Sequence, residues 1–204
     1  MTAERASGTE GYAEEAEALV GRYESIAFAD LHGAILHLLP AVPGRILDIG
    51  AGTGRDAAAL AAMGHDVVAV EPTAALRRAA GVLHPSPRIE WLDDSLPDLT
   101  ALGDRGEGFD AVMLTAVWMH LDATQRRRAM PRVAALVRPG GGLFLSLRHG
   151  PVPPGRRMFE VSAAETLALA AREGLTATLR REGEPALSGA AGVVWTRLAF
   201  AKVG

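Results

Sequence analysis

Acid and glycine crowd into one short stretch of this sequence, and that stretch is the first place where chemistry could be done. Asp48-Ile49-Gly50-Ala51-Gly52-Thr53-Gly54 sets three glycines at alternate positions behind an acid. Glycine tolerates left-handed backbone and carries no Cβ, so such a run can turn tightly and let a ligand come close. Glu71, followed by Pro72, closes the next β-branched apolar run. A carboxylate there can accept hydrogen bonds from both hydroxyls of a ribose. These features fit a dinucleotide or S-adenosylmethionine alike. The spacing then discriminates. A dinucleotide fingerprint, G-x-G-x-x-G/A, needs a small residue where Arg55 stands. Asp48 would also repel a pyrophosphate, whereas it would favour a cationic sulfonium ligand.

Further along, Trp118, His120, Arg148 and His149 follow apolar runs. An imidazole can take a proton near neutral pH, and a guanidinium holds a carboxylate or phosphate at two points. His120 and His149 are therefore candidate bases, Arg148 a candidate substrate clamp and catalytic residue, and Trp118 and His120 candidate substrate-lining groups. His120 and Asp122 have no convergent third partner in the sequence, so no metal is expected.

The elements that must position these residues alternate. Strands are predicted at 45–49, 66–70, 89–92, 109–115 and 143–147, with helices at 55–63, 73–82 and 122–137 between them. A helix from Ser162 to Arg172 follows. The last two strands, 176–181 and 193–203, have no helix between them and should pair as a hairpin. The fold class expected is α/β, a Rossmann-like seven-stranded, mostly parallel sheet with helices on both faces and one antiparallel strand in the C-terminal hairpin. The reading is of one domain over 1–204, with 1–11 frayed, 12–39 an N-terminal helical cap and 44–204 the core.

Composition narrows the partners. Among 204 residues the net charge is −3, with Lys and Arg scattered rather than striped, so no nucleic-acid partner is expected. No cysteine is present, which excludes disulfides and thiolate chemistry. The longest apolar stretch, Ala111 to Met119, is too short to span a bilayer, and the polar beginning lacks a signal-peptide layout. The expectation is a cytoplasmic monomer or homodimer with a small-molecule substrate and no membrane partner.

The ordered stretches ILDIGAGTG, VVAVEP, DDSLPDL, FDAVMLTAVWMHL and RPGGGLFLSL resemble the class I S-adenosylmethionine-dependent methyltransferase superfamily, in its small stand-alone form, over roughly Gly44 to Leu147. The resemblance implies S-adenosyl-L-methionine as cofactor and S-adenosyl-L-homocysteine as product. It implies that Gly50, Gly52 and Gly54, with Ala51, pack against the methionine and ribose portion and that Glu71, beside Pro72, holds the ribose. Asp94, or Asp93 if the loop is shifted by one, would accept from the adenine amino group, next to Ser95. Thr115 would face the methionine portion, beside Asp48. Tyr23, with Tyr12 and Phe28, could close over the cofactor. The activity expected is methyl transfer to a small polar or anionic metabolite. The alternatives are a nucleic-acid or protein methyltransferase, a non-catalytic S-adenosylmethionine-binding protein or, more remotely, a nicotinamide oxidoreductase.

Overall fold

The fold was obtained as a computed structural model, which describes residues 8–103 and 108–204. In chain order the elements are α1 (Ala16–Glu24), α2 (Phe28–His32), a 3-10 turn (Leu36–Leu38), β1 (Arg45–Ile49), α3 (Arg55–Ala62), β2 (Asp66–Val70), α4 (Ala74–Leu83) and β3 (Ile89–Leu92). There follow β4 (Phe109–Leu114), a second 3-10 turn (Trp118–His120), α5 (Ala123–Leu136), β5 (Val137–His149), α6 (Ala163–Arg172), β6 (Leu175–Pro185) and β7 (Val194–Lys202).

The seven strands form one sheet in the order β3-β2-β1-β4-β5-β7-β6. β1 to β5 pair in parallel, and β7 runs antiparallel between β5 and β6. This is the expected mostly parallel sheet with a C-terminal hairpin. The chain winds outward from β1 in one direction and then resumes at β4 on the other side. That reversal opens a crevice at the carboxyl ends of β1 and β4, where ligands of such sheets bind.

Strand pleating divides the core into two layers. Leu47, Ile49, Val68, Val70, Val112 and Leu114 face the layer covered by α5 and α6, through Met130, Val133 and Leu169. Ile46, Val67, Ala69, Ala111 and Met113 face the opposite layer, against Ala57 and Leu60 of α3 and Phe28 of α2. Helix α5 begins where the sequence supplies a reciprocal cap: Asp122 accepts from the Gln125 N–H at 2.8 Å and Gln125 accepts from the Asp122 N–H at 3.0 Å.

Three local expectations change. The Pro139–Gly142 stretch, whose proline and glycines suggest a tight turn before a strand at 143–147, belongs instead to a longer β5, which shifts register against β4 between Phe109 and Ala111. The Arg126–Arg128 run, three adjacent charges that the sequence suggests as a solvated helix face, is solvated only in part: Arg126 is buried, donating to Glu165 at 2.9 and 3.0 Å and to the Leu121 carbonyl at 2.6 Å. Of the stretch expected to fray, residues 1–7 lie outside the described residues. Gly8 is buried, and a Cβ on it would sit 3.1 Å from His120 Cβ, so residues 8–11 are packed where fraying was expected.

Candidate ligand cleft

The turn after β1 is left-handed at each glycine, with φ of 74° at Gly50, 58° at Gly52 and 86° at Gly54. The three do different work. A Cβ on Gly50 would lie 2.5 Å from Val117 Cγ2, and one on Gly54 3.0 Å from Trp91, so both glycines permit close internal packing. A Cβ on Gly52 would meet nothing nearer than 4.0 Å. Its missing side chain leaves open space on the cleft side, a cradle for something else.

Carboxylates surround that space. Glu71, at the end of β2, accepts the Gly52 N–H at 2.9 Å and the Thr73 N–H at 2.7 Å. Burial pushes its pKa above the ordinary glutamate range, against those two N–H groups. Asp48 is 1 % exposed, and its Oδ2 is buried without a hydrogen-bond partner. Burial, then the negative charge of Asp56, raises its pKa well above the usual carboxylate range. Asp56 goes the other way. Burial works against it, but His32 at 2.7 Å and Arg55 at 2.8 Å bring its pKa down to about 2. Asp94 accepts the Ser95 N–H at 2.8 Å and the Leu102 N–H at 2.7 Å, which fixes the loop after β3.

Above the turn lies a cavity of about 380 Å³, in the size range of small-molecule sites. Asp48, Gly50, Ala51, Gly52, Glu71 and Pro72 line one end of it. Asp94, Ser95, Thr115 and Tyr23 line it as well, and so do His120 and Arg148 at the other end. Four expected residues do not. Gly54 packs beneath Trp91. Asp93 points outward, its side chain 67 % exposed and paired with Arg77 at 2.6 Å, so the loop register favours Asp94. Trp118 is fully buried in the core on the α5 side: after Ala116, in left-handed backbone with φ of 61°, the 3-10 turn drives the indole inward. His149 is turned away by the pleat. Because β5 runs on to His149, neighbouring side chains take opposite faces, and His149 meets Thr196 at 2.9 Å while Arg148 faces the cavity. Phe28, weighed as a lid, packs on His32 instead, 4.6 Å between ring centroids.

The far end of the cavity is basic and aromatic. Among the described residues no hydrogen bond or ion pair engages the Arg148 guanidinium, and burial lowers its pKa. Arg156 stacks over the Tyr12 ring at 4.2 Å and pairs with Glu15 at 2.9 Å. His120 Nδ1 lies 2.8 Å from the Arg157 carbonyl and Nε2 lies 3.0 Å from the Tyr12 hydroxyl. Tyr12 came into the sequence reading only as a lid. Arg156 comes from the Gly150 to Glu160 stretch, which the sequence offers as a pocket-covering loop, whereas Ser146 and the 186–190 loop that also line the cavity carried no signal there, because chain topology rather than spacing brings them in. Among the described residues, no three His, Asp or Glu side chains gather where a metal ion could be held. Among the described residues, no helix is long and apolar enough to cross a membrane.

A mostly parallel α/β sheet whose crevice holds a glycine turn and an acid after each of β2 and β3 defines a Rossmann-like protein with a ligand crevice at its strand ends. Residues 46–141 match the family model described as "Methyltransferase domain". An uncharacterized methyltransferase of Mycobacterium tuberculosis is 37% identical over 134 residues, covering 62% of this chain and 49% of the relative. Glycine N-methyltransferase of Mus musculus is 31% identical over 135 residues, covering 56% of this chain and 46% of that enzyme. The chain thus spans about half the length of these curated relatives. The structure of Burkholderia thailandensis 1,6-didemethyltoxoflavin-N1-methyltransferase with bound 1,6-didemethyltoxoflavin and S-adenosylhomocysteine superposes with a TM-score of 0.69 at 22% identity, covering 100% of this chain and 94% of that one. The fold is that of this methyltransferase structure, and residues 46–141, just under half of the chain, are similar to the methyltransferase domain family.

Proposed function

We propose that this chain transfers the methyl group of S-adenosylmethionine to a small polar or anionic metabolite. The observation that carries the reading is the polarity of one cavity: buried acids around an open glycine at one end, an unpaired arginine at the other. A ligand bearing ammonium and sulfonium charges would answer the orphaned Asp48 oxygen, and its ribose would fit the carboxylate of Glu71. Carboxylate oxygens have spare lone pairs beyond the backbone bonds they already accept, so Glu71 and Asp94 can take ribose hydroxyls and an adenine amine without releasing their loops. Gly52 supplies the close approach. S-adenosylmethionine, when bound, brings an activated methyl group.

The rest of the work falls to the chain. Arg148, unpaired and partly desolvated, would hold a carboxylate or phosphate of the acceptor. His120 and Tyr12 stand beside it to receive a proton, and Tyr23 with Leu19 of α1 walls off water. The glycine substrate named for the mouse relative is a small amino carboxylate, the kind of molecule Arg148 would suit. In this reading the protein is a cytoplasmic monomer or homodimer, a single domain without a nucleic-acid partner. The scattered positive charge and pI near 6.1 support the last point.

The test is a metabolite screen with methyl-labelled S-adenosylmethionine read by mass spectrometry. Label should appear in amino, hydroxy or phosphate-bearing small molecules. Label appearing only in RNA, DNA or protein would move the function to the other branch of the superfamily.

A further inference from the structure

The cavity holds a chain of hydrogen bonds that the cofactor-binding residues do not use. It starts at the Tyr12 hydroxyl, in the segment before α1. The Tyr12 hydroxyl meets His120 Nε2 at 3.0 Å, and His120 Nδ1 meets the Arg157 carbonyl at 2.8 Å. The direction of this chain follows from chemistry. A carbonyl oxygen can only accept, so Nδ1 carries the ring proton and donates. Nε2 of the neutral ring is then a bare lone pair, and the Tyr12 O–H must donate to it. Burial keeps both groups in the required forms: it lowers the His120 pKa, leaving the ring neutral, and raises that of Tyr12, leaving the phenol protonated.

We propose that Tyr12 and His120 form a two-step proton acceptor, and that the methyl acceptor is a nitrogen or oxygen that arrives carrying a proton. The inference rests on the methyl-transfer reading above. A carboxylate or thioether acceptor would need no such device. The step balances as follows. The acceptor lone pair forms a bond to the methyl carbon, and the carbon–sulfur bond breaks with its electron pair passing to sulfur. The acceptor's proton goes to Tyr12 Oη as the Tyr12 proton goes to His120 Nε2. The positive charge that began on sulfur ends on the imidazolium, from which water later removes it. Tyr12 faces the cavity beside Arg148, so an acceptor anchored by its anionic group at Arg148 would present its reacting heteroatom to the phenol. The charged and titratable groups facing His120 are Glu10 and Tyr12 from the N-terminal segment, Arg148 from β5, and Arg156 and Arg157 from the loop after it. Glu10 favours the imidazolium, whereas Arg148 and Arg156 oppose it and would return the proton to solvent.

Two variants separate this from simple packing. Tyr12→Phe keeps the ring under Arg156 and removes the relay atom. His120→Asn keeps a donor near the Arg157 carbonyl and removes Nε2. Nitrogen-detected NMR on the full-length protein needs no acceptor and should find His120 as the Nδ1–H tautomer, titrating below the ordinary histidine value, with the Nε2 signal displaced in Tyr12→Phe. With the acceptor identified in the label screen, both variants should lose about 10²-fold or more in kcat. KM and calorimetric affinity for S-adenosylhomocysteine should change little. The acid limb of the wild-type pH profile should disappear in His120→Asn. An Nε2–H tautomer would overturn the proposal, as would a Tyr12→Phe variant with wild-type kcat and pH profile. Either result leaves methyl transfer standing if label still moves. Failure of the wild-type protein to bind S-adenosylhomocysteine would instead remove the reading beneath it.

Discussion

The two ends of the cavity are built differently. At the glycine end, Asp48, Gly52, Glu71 and Asp94 come from the ends of three parallel strands, β1 to β3, and each sits within a few residues of the strand that aims it. Two acids there, Glu71 and Asp94, have backbone N–H partners, and one, Asp48, has a buried oxygen with none. At the far end, Arg148 from β5, His120 from a 3-10 turn and Tyr12 from the segment before α1 meet only because the sheet and the N-terminal cap close on each other. The first end is a repeating strand–turn–helix device that suits a ligand shared by many sheets of this kind. The second is a one-off assembly, which suits a substrate of this chain's own.

The largest effect should come from the turn itself. Gly50→Val forces a β-branched residue into left-handed backbone and against Val117, costing roughly 1–3 kcal/mol in strain and a similar amount in overpacking. Denaturant unfolding should show it strongly destabilised and calorimetry should show no cofactor binding. Gly52→Ala is the sharper companion. Its Cβ has room, so only the left-handed strain of the backbone should appear in stability while binding is lost. A Gly52→Ala protein that binds normally would break the cradle reading.

Next in size is the far end. Arg148→Ala should raise the acceptor KM by about 10- to 150-fold, the loss of a charge-assisted pair worth roughly 1.5–3 kcal/mol. Cofactor affinity should stay put. If KM rises and cofactor affinity falls together, the two ends are not separate.

A smaller effect, of opposite sign in stability and binding, should mark Asp48. Its folded pKa is raised, so ionising it in the native state costs stability as pH rises from the unfolded carboxylate value through the folded one. Asp48→Asn should therefore stabilise the ligand-free protein at neutral pH by about 1 kcal/mol, roughly 2–4 °C in Tm. It should weaken binding of the cationic cofactor. A destabilised Asp48→Asn protein would mean that the buried acid is structural. The least effect belongs to Asp93→Ala, within about 0.5 kcal/mol of wild type in stability and in binding, since its side chain is exposed and only pairs with Arg77 at the surface.

The glycine end was legible because its information is local. The spacing of Asp48 to Gly54, Glu71 closing an apolar run, and Asp94 after the third strand all lie where strand and helix periodicity puts them. The sheet and its hairpin could be read for the same reason. What could not be read depended on pleat or on distant packing. Arg148 and His149 look equivalent as a loop pair and are separated only because β5 continues through both. Trp118 looks like a cavity wall until the left-handed Ala116 turns it into the core. Arg156 reaches the site through its stacking on Tyr12, a contact spanning most of the chain that no periodicity encodes.

The central claim is that the acidic end of this cavity binds the methyl donor. Isothermal titration with S-adenosylhomocysteine, run on the wild-type protein and on Glu71→Ala, tests it most directly. The account predicts saturable binding by the wild type and a loss of roughly 1.5–3 kcal/mol in the variant, about 10- to 150-fold in Kd, as the paired ribose hydrogen bonds go. Equal affinity in the two proteins, or no binding by the wild type, would contradict it.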